Sequence, residues 1–113
     1  MTTGRDAHLQ AMDMHAYGHW LRTCGSEAQA RINFRRACAL EARYARSVGS
    51  GGWAAMSWCS AGWSAYQGRY MRAALRCVEN GLKALGGVDG FEAAKLRELR
   101  EAIAEARAGQ VQR

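Results

Sequence analysis

Residues 53–70, with the sequence WAAMSWCSAGWSAYQGRY, carry a tryptophan at positions 53, 58 and 63. Five residues advance an α-helix by roughly 500°, so successive indoles point about 140° apart. The residues between the tryptophans are small except for Met56, and the whole chain contains no proline. A helix with large apolar side chains on several sides must be covered by other elements or line a pocket. The stretch therefore predicts a helix that lies between other helices.

Composition places the chain among ordinary helical globular proteins. Its 113 residues fit one domain, with 49% hydrophobic and 23% charged residues. Alanine, arginine and glutamate favour helix. The chain has no 18-residue apolar run, and its N-terminal residues MTTGRDAHLQ lack the apolar centre of a signal peptide. We therefore expect a soluble, cytoplasmic protein without membrane contact.

The net charge of +6 belongs to the body of the chain and not to its C-terminal part. Residues 1–85 contain 11 basic and 5 acidic side chains, a net of +6, whereas residues 86–113 contain 5 of each, a net of zero. The four cysteines form no CxxC pair, which argues against structural zinc. Cys38, Cys59 and Cys77 fall on or near apolar helix stripes and are expected to be reduced core thiols.

Periodicity predicts five helices in a single domain covering residues 1–113. The first pair covers 6–48, the second pair 53–85, and a capping helix 89–108. Gly25 ends the first helix, and Gly49 to Gly52 form the clearest loop. Ser26 with Gln29 and Asp89 with Glu92 are predicted capping boxes. Short loops imply antiparallel neighbours, so the predicted fold is an all-α, five-helix antiparallel array.

The first helix pair carries a repeat-like pattern of large and small residues. Its members are Met14, Tyr17, Gly18, Leu21, Gly25, Ala30, Phe34 and Ala37. Gly18 would let the two helices approach, and Leu21 and Phe34 would fill the space between them. This pattern resembles the tetratricopeptide (TPR) repeat, well in residues 11–44 and in degenerate form in residues 53–85. The two turns, at Gly25 and Gly68, are 43 residues apart, where TPR units repeat at about 34.

The resemblance implies two helix pairs followed by a capping helix, with a concave groove that binds a peptide or helix of a protein partner. In this family the first helix of a pair lines the groove, which here implicates Met12, His15, His19 and Arg22. Trp58 and Tyr66 would contribute aromatic anchors, with Trp58 partly exposed. Trp63 is expected in the core, and Trp53 is expected to close one end of its helix pair. The sequence leaves open whether the partner is a second copy of the chain.

The three histidines, His8, His15 and His19, share one face of the first helix. Histidines four residues apart can bind a metal, but no acidic residue lies on this stripe to complete a catalytic zinc site. We find no nucleophile motif, no phosphate-binding loop and no paired carboxylates in a defensible site. The sequence therefore predicts no metal, no cofactor and no enzymatic activity.

Basic side chains form stripes on the second and fourth helices. Arginine pairs carboxylates and phosphates with two parallel hydrogen bonds, so these stripes could bind nucleic acid or an acidic partner. This function is the alternative to peptide binding, and a regulator of this kind would use Arg31, Arg35, Arg69, Arg72, Arg76 and Lys83.

Overall fold

The computed structural model describes the backbone of residues 4–111 and the side chains of residues 6–110. This part of the chain forms five helices and no strand. They are α1 (Gly4–Thr23), α2 (Glu27–Val48), α3 (Gly51–Gln67), α4 (Met71–Leu85) and α5 (Phe91–Val111). The all-α class is confirmed, and the predicted helix bounds are correct to within three residues. The ends of the predicted domain, residues 1–3 and 112–113, lie outside the described residues.

The helices are arranged in a slab about two helices thick. Its principal extents are 41 × 39 × 18 Å, and a helix with its side chains is roughly 10 Å across. Each helix packs against the next one in the chain, and α3 also packs against α5. We therefore describe α1, α3 and α5 as one layer and α2 and α4 as the other. The central position predicted for α3 is confirmed, since it contacts α2, α4 and α5.

Phe34 fills the space between α1 and α2. Its side chain is fully buried and forms a cluster with Leu21 and Ala30. A Cβ atom added at Gly18 would lie only 3.0 Å from the Phe34 ring, so the ring packs directly on the glycine backbone. The predicted close approach of these two helices at Gly18 is confirmed.

The fifth helix contributes more than a cap to the core. Leu96, Leu99 and Ile103 are at most 2% exposed and belong to the same cluster as residues of α3 and α4. Two glycines make this packing possible. A Cβ atom at Gly62 would lie 2.6 Å from a methyl carbon of Leu99, and one at Gly81 would lie 2.8 Å from a methyl carbon of Leu96. The α5 helix is therefore an integral part of the core.

The two predicted capping boxes are wrong. Ser26 is the N-cap residue of α2, but its side chain makes no cap hydrogen bond. The α5 helix begins at Phe91, two residues after Asp89. The Asp89 carboxylate accepts hydrogen bonds from the Gly90 amide and from the Arg97 guanidinium, at 3.0 and 2.7 Å. A hydrogen bond from the neighbouring loop amide and an ion pair with Arg97 of α5 thus replace the predicted Asp89 cap.

The environments predicted for the three tryptophans of α3 are wrong in different ways. Trp58, expected to be partly exposed, is only 6% exposed. It packs in a cluster with Ala42 and Ala45 of α2 and Cys77 of α4, because α2 and α4 cover that side of α3. Trp63, expected in the core, is half-buried at the core margin. Trp53 is 78% exposed and closes no helix pair, because no neighbouring helix covers its side of the first turn of α3.

The cysteines are free, as far as the described residues go. Cys59 and Cys77 are buried and Cys38 is half-buried, which agrees with their predicted apolar positions. Burial raises the pKa of the Cys59 thiol above its ordinary value. Across residues 4–111, none of the helices combines the length and the apolar character needed to span a membrane.

Candidate functional site

One face of α3 lines a groove between α1 and α5. Trp53, Met56, Ser60 and Trp63 follow one another at intervals of three, four and three residues, so they share a helix face, which we call the α3 row. Three cavities lie along it. The cavity nearest α5 has a volume of about 470 Å³, and its lining includes Trp53, Met56 and Glu92. The middle cavity has a volume of about 390 Å³ and is also lined by Trp53 and Met56. The middle cavity also shares Ser60 with the third.

This third cavity, which we call the inner cavity, lies where α1, α2 and α3 meet and has a volume of about 270 Å³. Its lining is mostly apolar but contains one carboxylate, from Glu41 of α2. The lining residues are Ala11, Met12, His15, Ala16, Glu41, Ser60, Trp63 and Ser64. An apolar cavity with few polar groups is typical of ligand sites.

Glu41 is buried, although other positions of α2 are exposed to solvent. Only 2% of the residue is exposed, because it lies on the same stripe of α2 as Phe34 and Ala45. Its Oε1 atom forms a short contact with Nδ1 of His8 on α1. Its Oε2 atom is buried without a hydrogen-bond partner among the described residues. Burial raises the pKa of the Glu41 carboxyl, and the neighbouring His8 opposes that effect.

His15 joins α1 to α3 through a hydrogen bond between its Nδ1 atom and Oγ of Ser64, 2.8 Å apart. Its Nε2 atom lies 3.1 Å from Nε2 of His19, and its ring contacts the Phe34 ring edge-to-face with centroids 5.2 Å apart. Ser64 is only 3% exposed, so the pair acts as a hydrogen bond between helices rather than as an accessible nucleophile. Ser64 of α3 therefore faces the histidine stripe of α1.

The pKa of His15 is expected to lie below its ordinary value of 6.5, first because the ring is buried and second because of the charge on His19. The groups around it are His19, Phe34, Ser64 and the Glu41 carboxyl in the same cavity. A lowered pKa means that the folded state binds this proton less readily than the unfolded state. The His15 contribution to stability is therefore present above pH 6.5 and is lost as the pH falls through the folded-state pKa.

An NMR titration of the imidazole protons measures this pKa directly. In the variant His19→Gln we expect the His15 pKa to rise toward 6.5 without reaching it, because burial of the ring remains. A His15 pKa at or above 6.5 in the unmodified protein would contradict the burial of this ring.

The structure divides the six residues predicted to bind a partner. Met12 and His15 line the inner cavity, and the exposed His19 pairs with His15. Arg22 and Tyr66 line a separate cavity of about 370 Å³ beside the C-terminal part of α5. The edge-to-face ring pair of Tyr66 and Trp63, with centroids 5.4 Å apart, borders both cavities. Trp58 faces α2 and α4 and does not line the groove.

Arg22 already has partners within the chain. Its guanidinium donates two hydrogen bonds of 2.8 Å to the Glu27 carboxylate and one of 2.6 Å to the Gln67 carbonyl oxygen. These bonds connect the α1–α2 turn to the C-terminal end of α3. The guanidinium of Arg22 therefore helps to hold these helix ends together, and its predicted contact with a partner stays a prediction.

The six predicted basic-surface residues also separate into two groups. Arg31 donates a hydrogen bond of 3.0 Å to the Gly68 carbonyl oxygen and lies over the Tyr70 ring. Arg69 has a left-handed backbone conformation, with φ of 69°, and pairs with Glu27 at 3.5 Å. The other four are exposed on the α2 and α4 layer, namely Arg35, Arg72, Arg76 and Lys83.

Several groove residues were not predicted as site residues. Met56 and Trp63 lie seven residues apart, a spacing typical of a core stripe, whereas both are only half-buried and line cavities. Glu41 gave the clearest signal, because a carboxylate on an otherwise apolar stripe must be paired or functional. Among the described residues, no group of three or more histidine, cysteine, aspartate or glutamate side chains is arranged to hold a metal ion.

Comparison with known proteins adds no relative. No protein-family model matches the sequence, and no match is found among curated proteins or among solved structures. The likeness to TPR repeats therefore stays a prediction from the residues of the first helix pair.

Proposed function

We propose that this protein is a protein-interaction module that binds a peptide segment of a partner along the α3 row, in the groove between α1 and α5. The observation that carries the proposal is the continuity of the three cavities, since neighbouring cavities share Ser60 or share Trp53 and Met56. A segment that lies in this groove would contact one continuous surface rather than three separate cavities.

The side chains of the groove support binding of apolar groups. Trp53 and Met12 are 78% and 55% exposed and line cavities of the same groove, and exposed apolar side chains grouped in this way are typical of interaction sites. Tryptophan buries a large area at little cost in side-chain entropy and is enriched among residues that dominate binding energy. Methionine adapts to partners of different shape. The bound segment is therefore expected to present apolar side chains to Trp53, Met56 and Met12.

The proposal can be tested with peptides selected from a random library on the full chain. Trp53→Ala should weaken the binding of the selected peptides by about tenfold or more, because it removes an exposed aromatic anchor. Trp20→Ala is the matched control, since Trp20 is also highly exposed, at 58%, but lies outside the lining of the groove. Isothermal titration calorimetry measures both affinities. Equal weakening by the two variants, or by neither, would contradict binding in the groove.

Binding of nucleic acid is a second candidate, favoured by the exposure of Arg35, Arg72, Arg76 and Lys83 on the α2 and α4 layer. Such binding releases counterions, so the affinity for a short single-stranded DNA should fall steeply as the salt concentration rises. The double variant Arg72→Gln, Arg76→Gln should reduce the slope of that dependence. Peptide binding in the apolar groove should change little with salt.

A further inference from the structure

We infer that the inner cavity accepts a lysine or arginine side chain of the bound segment, with Glu41 as the carboxylate that receives its cationic group. This inference rests on the proposed function, because it names one side chain that the segment inserts. It depends on three features of the cavity, which are its unpartnered oxygen, its apolar walls and a lining that, among the described residues, contains no arginine or lysine.

The first feature is the Oε2 atom of Glu41. A buried carboxylate oxygen without a hydrogen bond is costly, and native structures contain few such atoms. His8 satisfies only the other oxygen of this carboxylate. Oε2 has less than 1 Å² of accessible surface, so a group that reaches it must part the neighbouring side chains and lose most of its own water. A cationic donor gains most from such a contact, because charge-assisted hydrogen bonds are about twice as strong as neutral ones.

The second feature is the shape and chemistry of the walls. Met12, Ala16 and Trp63 offer apolar surface to the methylene groups of a long side chain. The electron-rich face of an indole also attracts cations, so Trp63 can stabilise an ammonium or guanidinium group near it. A volume of about 270 Å³ leaves room for one such side chain. The cavity therefore favours a group with an apolar stem and a positive end.

The third feature is the local charge. Among the described residues, His8 and His15 of α1 are the titratable groups beside the Glu41 carboxyl. From α3 the lining receives the hydroxyl groups of Ser60 and Ser64 and the Trp63 indole. His15 is held toward its neutral form because burial lowers its pKa. The net charge of +6 is carried elsewhere, with exposed arginine and lysine side chains on α2 and α4. The inner cavity therefore contains an acidic group, although the net charge of the protein is positive.

Small probes test the cavity without knowledge of the partner. The n-butylammonium ion imitates a lysine side chain, and n-butanol has the same length without the charge. Each is titrated into the full chain at neutral pH while the backbone amide resonances are followed by NMR. We expect n-butylammonium to shift the amides of residues 11–16 and 60–64 and to bind about tenfold more tightly than n-butanol, since a hydrogen bond to a charged group is stronger.

The variant Glu41→Gln removes the charge with little change of shape. It should weaken the binding of n-butylammonium by about tenfold and leave the affinity for n-butanol unchanged. Glu92→Gln is the matched control, because Glu92 is a half-buried carboxylate that lines the groove cavity nearest α5. It should leave both affinities unchanged. Equal binding of the two probes, or equal effects of the two variants, would overturn the inference.

A further measurement needs no variant. Saturating n-butylammonium should lower the Glu41 pKa, because a nearby cation favours the charged carboxylate. The Glu41 pKa is read from the pH dependence of the chemical shift of its carboxyl carbon. The same pKa with and without n-butylammonium would contradict the contact. The proposed function is decided separately by Trp53→Ala and Trp20→Ala with selected peptides. Peptides that bind in the groove independently of Glu41 would refute only the inference, and probes that bind while the peptide test fails would refute only the proposed function.

Discussion

Replacement of Phe34 by alanine is expected to lower the free energy of unfolding by about 3–5 kcal/mol. The Phe34 ring is fully buried and touches α1, since it packs on Gly18 and lies edge-to-face with His15 and His19 at 5.2 and 5.0 Å. The Phe34 Cβ, which alanine keeps, lies close to the α3–α4 turn, where a Cβ atom added at Gly68 would be 3.0 Å away. The α1 backbone at Gly18 borders the space that the ring leaves and limits its collapse, so most of the lost contact energy should be observed.

Urea denaturation followed by circular dichroism measures this change. Ile32→Ala on the same helix is the control, because Ile32 is 48% exposed and its truncation should cost well under 1 kcal/mol. Stabilities of small domains are about 5–15 kcal/mol, so Phe34→Ala should remove a large fraction of the total. A loss below about 1 kcal/mol would contradict the packing of α1 on α2 through this ring.

Replacement of Trp58 by alanine is expected to cost a similar amount, about 3–5 kcal/mol. The indole is 6% exposed and is enclosed by the alanines of α2 and by Cys77 of α4. The Arg46 guanidinium covers its outer side, 5.2 Å from the ring centroid. This expectation reverses the one drawn from the sequence, in which Trp58→Ala would leave stability within about 1 kcal/mol and weaken partner binding.

Trp53→Ala provides the comparison for Trp58→Ala, because it removes the same side chain from the same helix. Trp53 is 78% exposed, so its loss should change the free energy of unfolding by less than about 0.5 kcal/mol. Tryptophan fluorescence gives a second readout, since Trp58 should contribute blue-shifted emission from a dry site. Similar destabilisation by the two variants would place Trp58 outside the core.

Local pattern was sufficient to predict the helices and one of the contacts between them. Glycines at positions 25, 49 and 86 follow the ends of helices with positive φ angles that few other residues adopt. Gly68 has an ordinary φ of −78°, and its lack of a side chain instead permits close packing against Tyr70 and Phe34. The contact of Phe34 with Gly18 followed from a small residue and a large residue placed on facing stripes of consecutive helices. A three-residue connection leaves such helices little freedom except to pack side by side.

An all-α chain of five helices, a central α3 and a buried Phe34 could be predicted from the residues alone, because helical period, glycine breaks and short connections act between near neighbours. The burial of one α3 indole and the position of Glu41 depend on how separate helices pack. Successive indoles lie about 140° apart around α3, so the helical period does not indicate which of them is buried. Trp58 is buried because α2 and α4 cover its side of the helix. His8 meets Glu41 across 33 residues, and His15 meets Ser64 across 49. Such pairings depend on the crossing and register of separate helices, which the period within a single helix does not specify.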